Sequence, residues 1–203
     1  MTMATTETFP VPPFRLMLPA GWEEVPADEA AVRALVERSS EVFRSAHRPD
    51  LDAQFRRLLQ TAARKMKQGR VFALYLQTDV PEERILPLSI TAAVTDGQLG
   101  GTLDRQVTEL FRERGAEFLR DDHSIVRWEA DTTTGGELEG TAARVLNYLI
   151  AVPGTGRRTA LMFTTTIPHP TEEDDGFRDR FIEELCLLSD TIVSTFAWEA
   201  SEA

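Results

Sequence analysis

Apolar positions recur along the chain in two rhythms, a period near two and a period near 3.6, and the switches between them predict the element order. Phe14 to Leu18 (FRLML) reads as a short strand closed by Pro19, Ala20 and Gly21, with Trp22 behind the turn as a plug for the core. From Pro26 the rhythm turns helical, with Asp28 as N-cap and Val32, Leu35, Val36 and Phe43 on one stripe. Pro49 and Asp50 open a second helix, in which Leu51, Phe55, Leu58, Leu59, Ala62 and Met66 share a face until Gly69 stops it. The short SAHRP connection makes these two helices an antiparallel pair.

Strand patterns follow. Arg70 to Thr78 is a continuous apolar run that suits a strand covered on both faces. Across the polar DVPEER turn, Leu88, Ile90, Ala92 and Val94 alternate with Ser89, Thr91, Ala93 and Thr95, so the two segments read as a hairpin with Pro87 near the start of its second strand. Gly97, Gly100 and Gly101 interrupt the sheet. A helix is expected from about Leu103 to Phe118, with Leu103, Val107, Leu110, Phe111 and Phe118 inward. Ser124 to Ala130 then reads as a strand with Val126 and Trp128 inward and Arg127 and Glu129 outward. Arg144 to Pro153 and Arg158 to Ile167 form a hairpin through Pro153-Gly154-Thr155-Gly156. The last stripe, Phe177, Phe181, Leu185, Leu188, Ile192 and Phe196, is a long helix, with Thr171 and the acids of TEEDD at its approach.

The order β, αα, ββ, α, βββ, α joins neighbouring strands by hairpins, and hairpins make antiparallel pairs, whereas a doubly wound parallel sheet needs a crossover helix between neighbours. The expected fold is therefore α+β, an antiparallel β-sheet sandwiched by helices, with a two-helix insert at 28–68 after the first strand. Residues 1–13 read as a flexible arm, 14–198 as a single domain and 199–203 as a tail.

Composition adds a constraint on partners. The 203 residues carry 22 Lys and Arg against 33 Asp and Glu, a formal charge of −11. A field of that sign repels nucleic acid and anionic lipid, so neither is an expected partner. A single cysteine forms no internal disulfide. With no basic, apolar leader at the N-terminus and no run long enough to span a bilayer, the expected location is cytoplasmic.

The search for chemistry returns no catalytic, cofactor or metal motif. Cys186, flanked by Leu185 and Leu187, reads as a buried structural thiol. His47, His123 and His169 lack ligand spacing, and the acids of His169 to Asp175 read as a solvated helix approach rather than a cation site. Gly154-Thr155-Gly156 is a hairpin turn, since no phosphate-loop pattern continues from it. No nucleophile-elbow motif surrounds any serine, Ser189 included.

The outstanding feature is a charge asymmetry. Between Ala53 and Arg70 stand Arg56, Arg57, Arg64, Lys65, Lys67 and Arg70 with no acid, so this stretch is +6 while the rest of the chain is −17. Such a run is a solvated face, a helix neutralised against the acidic bulk within the fold, or a docking surface, for an acidic protein ahead of an anionic lipid or nucleic acid. The last account makes Arg56, Arg57, Arg64, Lys65 and Lys67 the partner-binding residues.

Phe14, Leu16, Leu18, Pro19, Gly21 and Trp22 at the start, with Ile192, Thr195 and Phe196 near the end, resemble the PsbP-like fold family. That resemblance implies an antiparallel sheet between helices and a non-enzymatic role as adaptor or chaperone. It supplies no catalytic signature, and the 28–68 insert departs from the family's usual short segment. The expected function is thus a cytoplasmic protein-binding module docking an acidic partner through its sheet face or basic insert. The alternatives are a homodimer, or a small-molecule-binding or hydrolytic protein with a pocket between sheet and insert, using Asp122, His123 or His169.

Overall fold

The structure, a computed structural model, describes residues 11–28, 30, 33, 37, 60–133, 141–170 and 176–199. Its centre is a seven-stranded antiparallel sheet in the order β2-β3-β4-β8-β7-β6-β5, built from β2 (Trp22–Pro26), β3 (Val71–Gln77), β4 (Ser89–Asp96), β5 (Glu117–Phe118), β6 (Val126–Thr133), β7 (Thr141–Ala151) and β8 (Thr159–Pro170). A separate two-stranded ribbon pairs β1 (Phe14–Arg15) with β9 (Ala197–Trp198), tying the two ends of the domain together. Helical structure among the described residues includes α1 (the described stretch 60–68), α2 (Asp104–Glu113) and α3 (Gly176–Ser194). The α+β class and the antiparallel sheet follow the sequence expectation.

Alternation along the strands separates two cores. On one face Tyr75, Ile90, Leu146, Tyr148, Leu161, Phe163 and Ile167 meet Ile182, Leu185, Ile192 and Val193 of α3, all buried. On the other, Val126, Leu149 and Ala160 are covered by Leu103, with Val107 and Leu110 of α2 packed alongside. Helices thus lie on both faces. Trp22 is buried in the first core, as expected of a plug, and Phe14 joins it through edge-on contacts with Phe163 and Trp198 at 5.9 and 6.1 Å.

Several local expectations need correcting. The first strand is only two residues long, and Met17 within its expected span is 72% exposed. Trp22–Pro26, expected as a turn running into a helix, is an edge strand on β3, because Glu23 to Pro26 find open backbone partners there. Gly21 makes this possible: the Trp22 amide donates to the Pro19 carbonyl at 3.2 Å, and Gly21 takes φ +83° at the third position of that turn, where only glycine is unstrained. The helix expected to reach Phe118 ends at Glu113, after which Gly115 at φ +62° returns the chain as β5. Phe111 and Phe118 are consequently on the surface, their rings 4.9 Å apart. Arg127 is not outward in the solvated sense: both faces of β6 are covered, and its side chain lies under α3, 12% exposed. The helix stripe from Val32 to Phe43, and Leu51 to Leu59 of the next, fall outside the described residues.

Candidate functional site

Of the five residues expected to bind a partner, Arg56 and Arg57 lie outside the described residues, and Arg64, Lys65 and Lys67 stand exposed on α1. No residue of 60–68 is buried, and only Ala63 and Met66 are half-buried. Three residues apart, these two mark the inward side of the helix, which turns Arg64 and Lys65 toward solvent. The Arg64 guanidinium donates to the Thr61 hydroxyl at 3.2 Å, one turn back, so it remains on the helix surface. Lys67 has a partner within the chain. The charge run is therefore exposed at Arg64 and Lys65 and neutralised at its C-terminal end.

That end is Arg70. The chain leaves α1 through amides of Gly69 and Arg70 that donate to the Lys65 and Lys67 carbonyls at 2.8 and 3.2 Å. Arg70 then pairs with Asp96 at 2.5 Å, across from the start of β3 to the end of β4. Thr159, opposite Asp96 in the ladder, donates its hydroxyl to the other carboxylate oxygen at 2.9 Å. The hydrogen bonds from Arg70 and Thr159 hold the Asp96 carboxyl below the usual carboxylate range. α1 is thereby anchored to the sheet at one end by three strands at once.

The residues considered for chemistry do not converge. Asp122 accepts from the Ser124 amide and hydroxyl at 3.0 and 2.7 Å and pairs with Arg120. These bonds, Ser124 first, lower its pKa. Arg120 in turn donates to the Phe196 carbonyl at 2.9 Å, so Asp122 braces a turn to the end of α3. His123, at φ +58°, is exposed and stacks on Phe118 at 4.3 Å. Val126, just beyond that turn, pairs with Leu149, which pairs with Met162; His169 lies seven positions along β8 from Met162. At about 3.3 Å per residue the two ends are roughly 23 Å apart. Among the described residues no group of three or more His, Cys, Asp or Glu could hold a metal ion. Cys186 is buried, and burial pushes its thiol pKa up, which keeps the proton on sulfur as expected of a structural cysteine.

One cluster escaped the sequence reading. Beneath α3 the Ser189 and Tyr148 hydroxyls are 2.7 Å apart, Thr165 is 2.7 Å from the same Ser189 oxygen, and Tyr148 donates to Asp190 at 2.8 Å. Asp190 also accepts from Arg127 Nε at 2.8 Å, and Arg127 reaches Glu129 at 2.5 Å. Burial raises the Tyr148 pKa, reinforced by the Asp190 charge, so the phenol stays a donor. Burial alone would lower the Arg127 pKa, but its bonds to Asp190 and Glu129 raise it. Ser189 Oγ meets only two hydroxyls and no base, so its geometry is that of a staple between helix and sheet. Nothing local flags Ser189 or Asp190 in the sequence. Only the register that sets Arg127 opposite Tyr148 assembles them.

Comparison with known proteins adds little. No protein-family model matches the chain, and no curated protein does. Among solved structures it is similar to a mutant of the protein Mog1, at 14% identity and a TM-score of 0.39, over 64% of this chain and 80% of that one. Function is therefore argued from the side chains of this chain. No helix among the described residues is long and apolar enough to cross a membrane.

Proposed function

We propose that the protein is a non-enzymatic binding module that docks a partner protein with an acidic surface through the outward side of α1. One observation supports this reading above the others: in a chain of net charge −11, Arg64 and Lys65 project from α1, whose described residues include no acid and none that is buried. A helix of this kind gains nothing for the core from its arginine and lysine. Exposed charge of one sign speeds encounter with a surface of the opposite sign and fixes its orientation. The buried hydroxyl cluster and the tightly bonded Asp122 are already used in holding the fold, whereas Arg64 and Lys65 stand on the solvent side of α1, away from Ala63 and Met66.

The test is affinity capture from native lysate with wild type and with Arg64→Glu/Lys65→Glu, alongside a control reversal of Arg112, an exposed arginine at the far end of α2. The reading expects a stoichiometric protein that wild type and the control retain, that the double variant loses, and that raised salt releases. Equal capture by all three proteins would overturn it.

A further inference from the structure

The basic surface does not end with α1. Asp96, which holds Arg70 at the foot of α1, is paired in the ladder with Thr159, the first residue after the β7–β8 hairpin loop. That loop carries Arg157 and Arg158, both exposed. Its backbone is fastened to the loop after β4: the Gly97 amide donates to the Arg158 carbonyl at 2.7 Å and the Leu103 amide to the Arg157 carbonyl at 2.8 Å. The C-terminus of α1, the loop following Asp96 and the hairpin loop therefore occupy one end of the sheet. Two segments remote in sequence, α1 and the hairpin loop, bring cations to that end. Two acids there are already engaged, Asp96 with Arg70 and Asp104 with Arg157 at 3.1 Å. Arg64, Lys65 and Arg158 have no acidic partner among the described residues.

The loop after β4, fastened to the hairpin loop by the Gly97 and Leu103 amides, carries Leu99. This residue is 108% exposed, more than in a reference extended peptide, and its φ of +54° is a left-handed conformation that disfavours leucine by crowding its Cβ against the following carbonyl. Hydrogen bonds from Gly100 to the Gly97 carbonyl and from Gly101 to the Gln98 carbonyl, at 3.2 and 3.0 Å, hold the loop with this side chain at its tip. A solvent-facing leucine on strained backbone does nothing for the fold. It is the kind of apolar anchor around which a charged docking surface forms.

We infer that Arg158 and Leu99 extend the basic side of α1 into one composite docking surface, and that its occupant is an acidic protein segment bearing an apolar side chain that packs on Leu99. The inference rests on the reading of α1 given above and deepens it by naming the second half of the site and the partner's chemistry. Charge complementarity selects an acidic segment. A nucleic-acid duplex, with one charge per about 1.7 Å, would also meet the −17 of the rest of the chain beyond this end of the sheet, whereas a short acidic segment need not.

The probe is a fluorescein-labelled peptide of alternating Asp-Glu pairs and leucines, followed by anisotropy in low salt, with a twenty-base-pair DNA and phosphatidylserine vesicles as competitors. Arg158→Glu weakens peptide binding by about tenfold and Leu99→Gly by about threefold, while a peptide with serine for leucine binds wild type less tightly and is indifferent to Leu99→Gly. Leu99→Gly also relieves the left-handed strain, so its melting temperature stays equal or rises; weaker binding then cannot come from unfolding. If Arg64→Glu/Lys65→Glu weakens the peptide but Arg158→Glu and Leu99→Gly do not, the composite surface is wrong and the α1 reading stands. If none of the variants changes binding, both fall. If DNA or vesicles bind more tightly than the peptide, the acidic-protein occupant is overturned.

Discussion

At Gly21 an added methyl group would sit 2.6 Å from Val80 Cγ1 and 2.8 Å from the Asp79 carbonyl oxygen, on a backbone that already requires a left-handed φ. The Gly21 carbonyl also accepts the amides of Thr78 and Asp79, so the turn cannot shift without loosening the edge of the sheet. Gly21→Ala is expected to cost about 1–3 kcal/mol, read as a fall in the urea midpoint at unchanged slope. An unchanged midpoint would mean that the turn relaxes freely. Asp96 gives a pH signature. Its pKa is depressed in the folded state by Arg70 and Thr159, so its contribution is full above the unfolded value of about 3.9 and is lost as pH falls through the folded value. Asp96→Asn should therefore lower stability near neutrality more than at about pH 3, and denaturation curves across that range will show whether the two proteins converge in acid. Gly21 and Trp22 were both legible in the sequence, as a turn residue and a core plug. Asp96 was not, because nothing local marks an acid whose partner lies twenty-six positions away.

α3 is held to the sheet by apolar burial and by the staple of Tyr148, Ser189, Asp190 and Arg127. Tyr148→Phe removes a donor to Asp190 and leaves Ser189 with Thr165 alone, which should cost about 1–2 kcal/mol. Arg127→Met strips the half-buried Asp190 of its cation, a loss expected near 1–3 kcal/mol after allowing for the partial exposure of the pair. The two substitutions share Asp190, so a double-mutant cycle should show coupling of at least about 0.5 kcal/mol; strict additivity would separate them into independent contacts. The long strands and both packed helices were readable from period alone. What was missed has a common cause. β2, β5 and β9 are short segments whose strand character comes from an available neighbour rather than from a hydrophobic pattern, and Phe118 was read into a helix because an apolar residue at the right spacing says nothing about where a glycine has already turned the chain.

Across the whole molecule, a chain of −11 leaves Arg64, Lys65 and Arg158 exposed and without an acidic partner among the described residues, and this makes association a question of ionic strength. Two reversals in Arg64→Glu/Lys65→Glu, each worth two charges, take the net charge from −11 to −15 without touching the core. Thermal stability should change by no more than about 0.5 kcal/mol, since both side chains are solvated, while partner association slows. The expected kinetic record is a lower association rate with a nearly constant dissociation rate, and with wild type the same slowing on raising salt from about 50 mM to about 300 mM. A change confined to dissociation would place these residues inside a packed interface rather than at its steering rim.

By itself the sequence determined the α+β class, the hairpin order of the long strands, the two packed helices, the buried Trp22 and Cys186, and the existence of a basic run in an acidic chain. These are local quantities: period, turn residues and charge per segment need no knowledge of what lies alongside. Which faces were covered, which cations were spared an acid, and which loops shared an end of the sheet were decided by strand register. Asp96 reaches Arg70 and Thr159, and the hairpin loop bearing Arg158 comes to the same end of the sheet as Arg70, because antiparallel pairing sets residues tens of positions apart side by side.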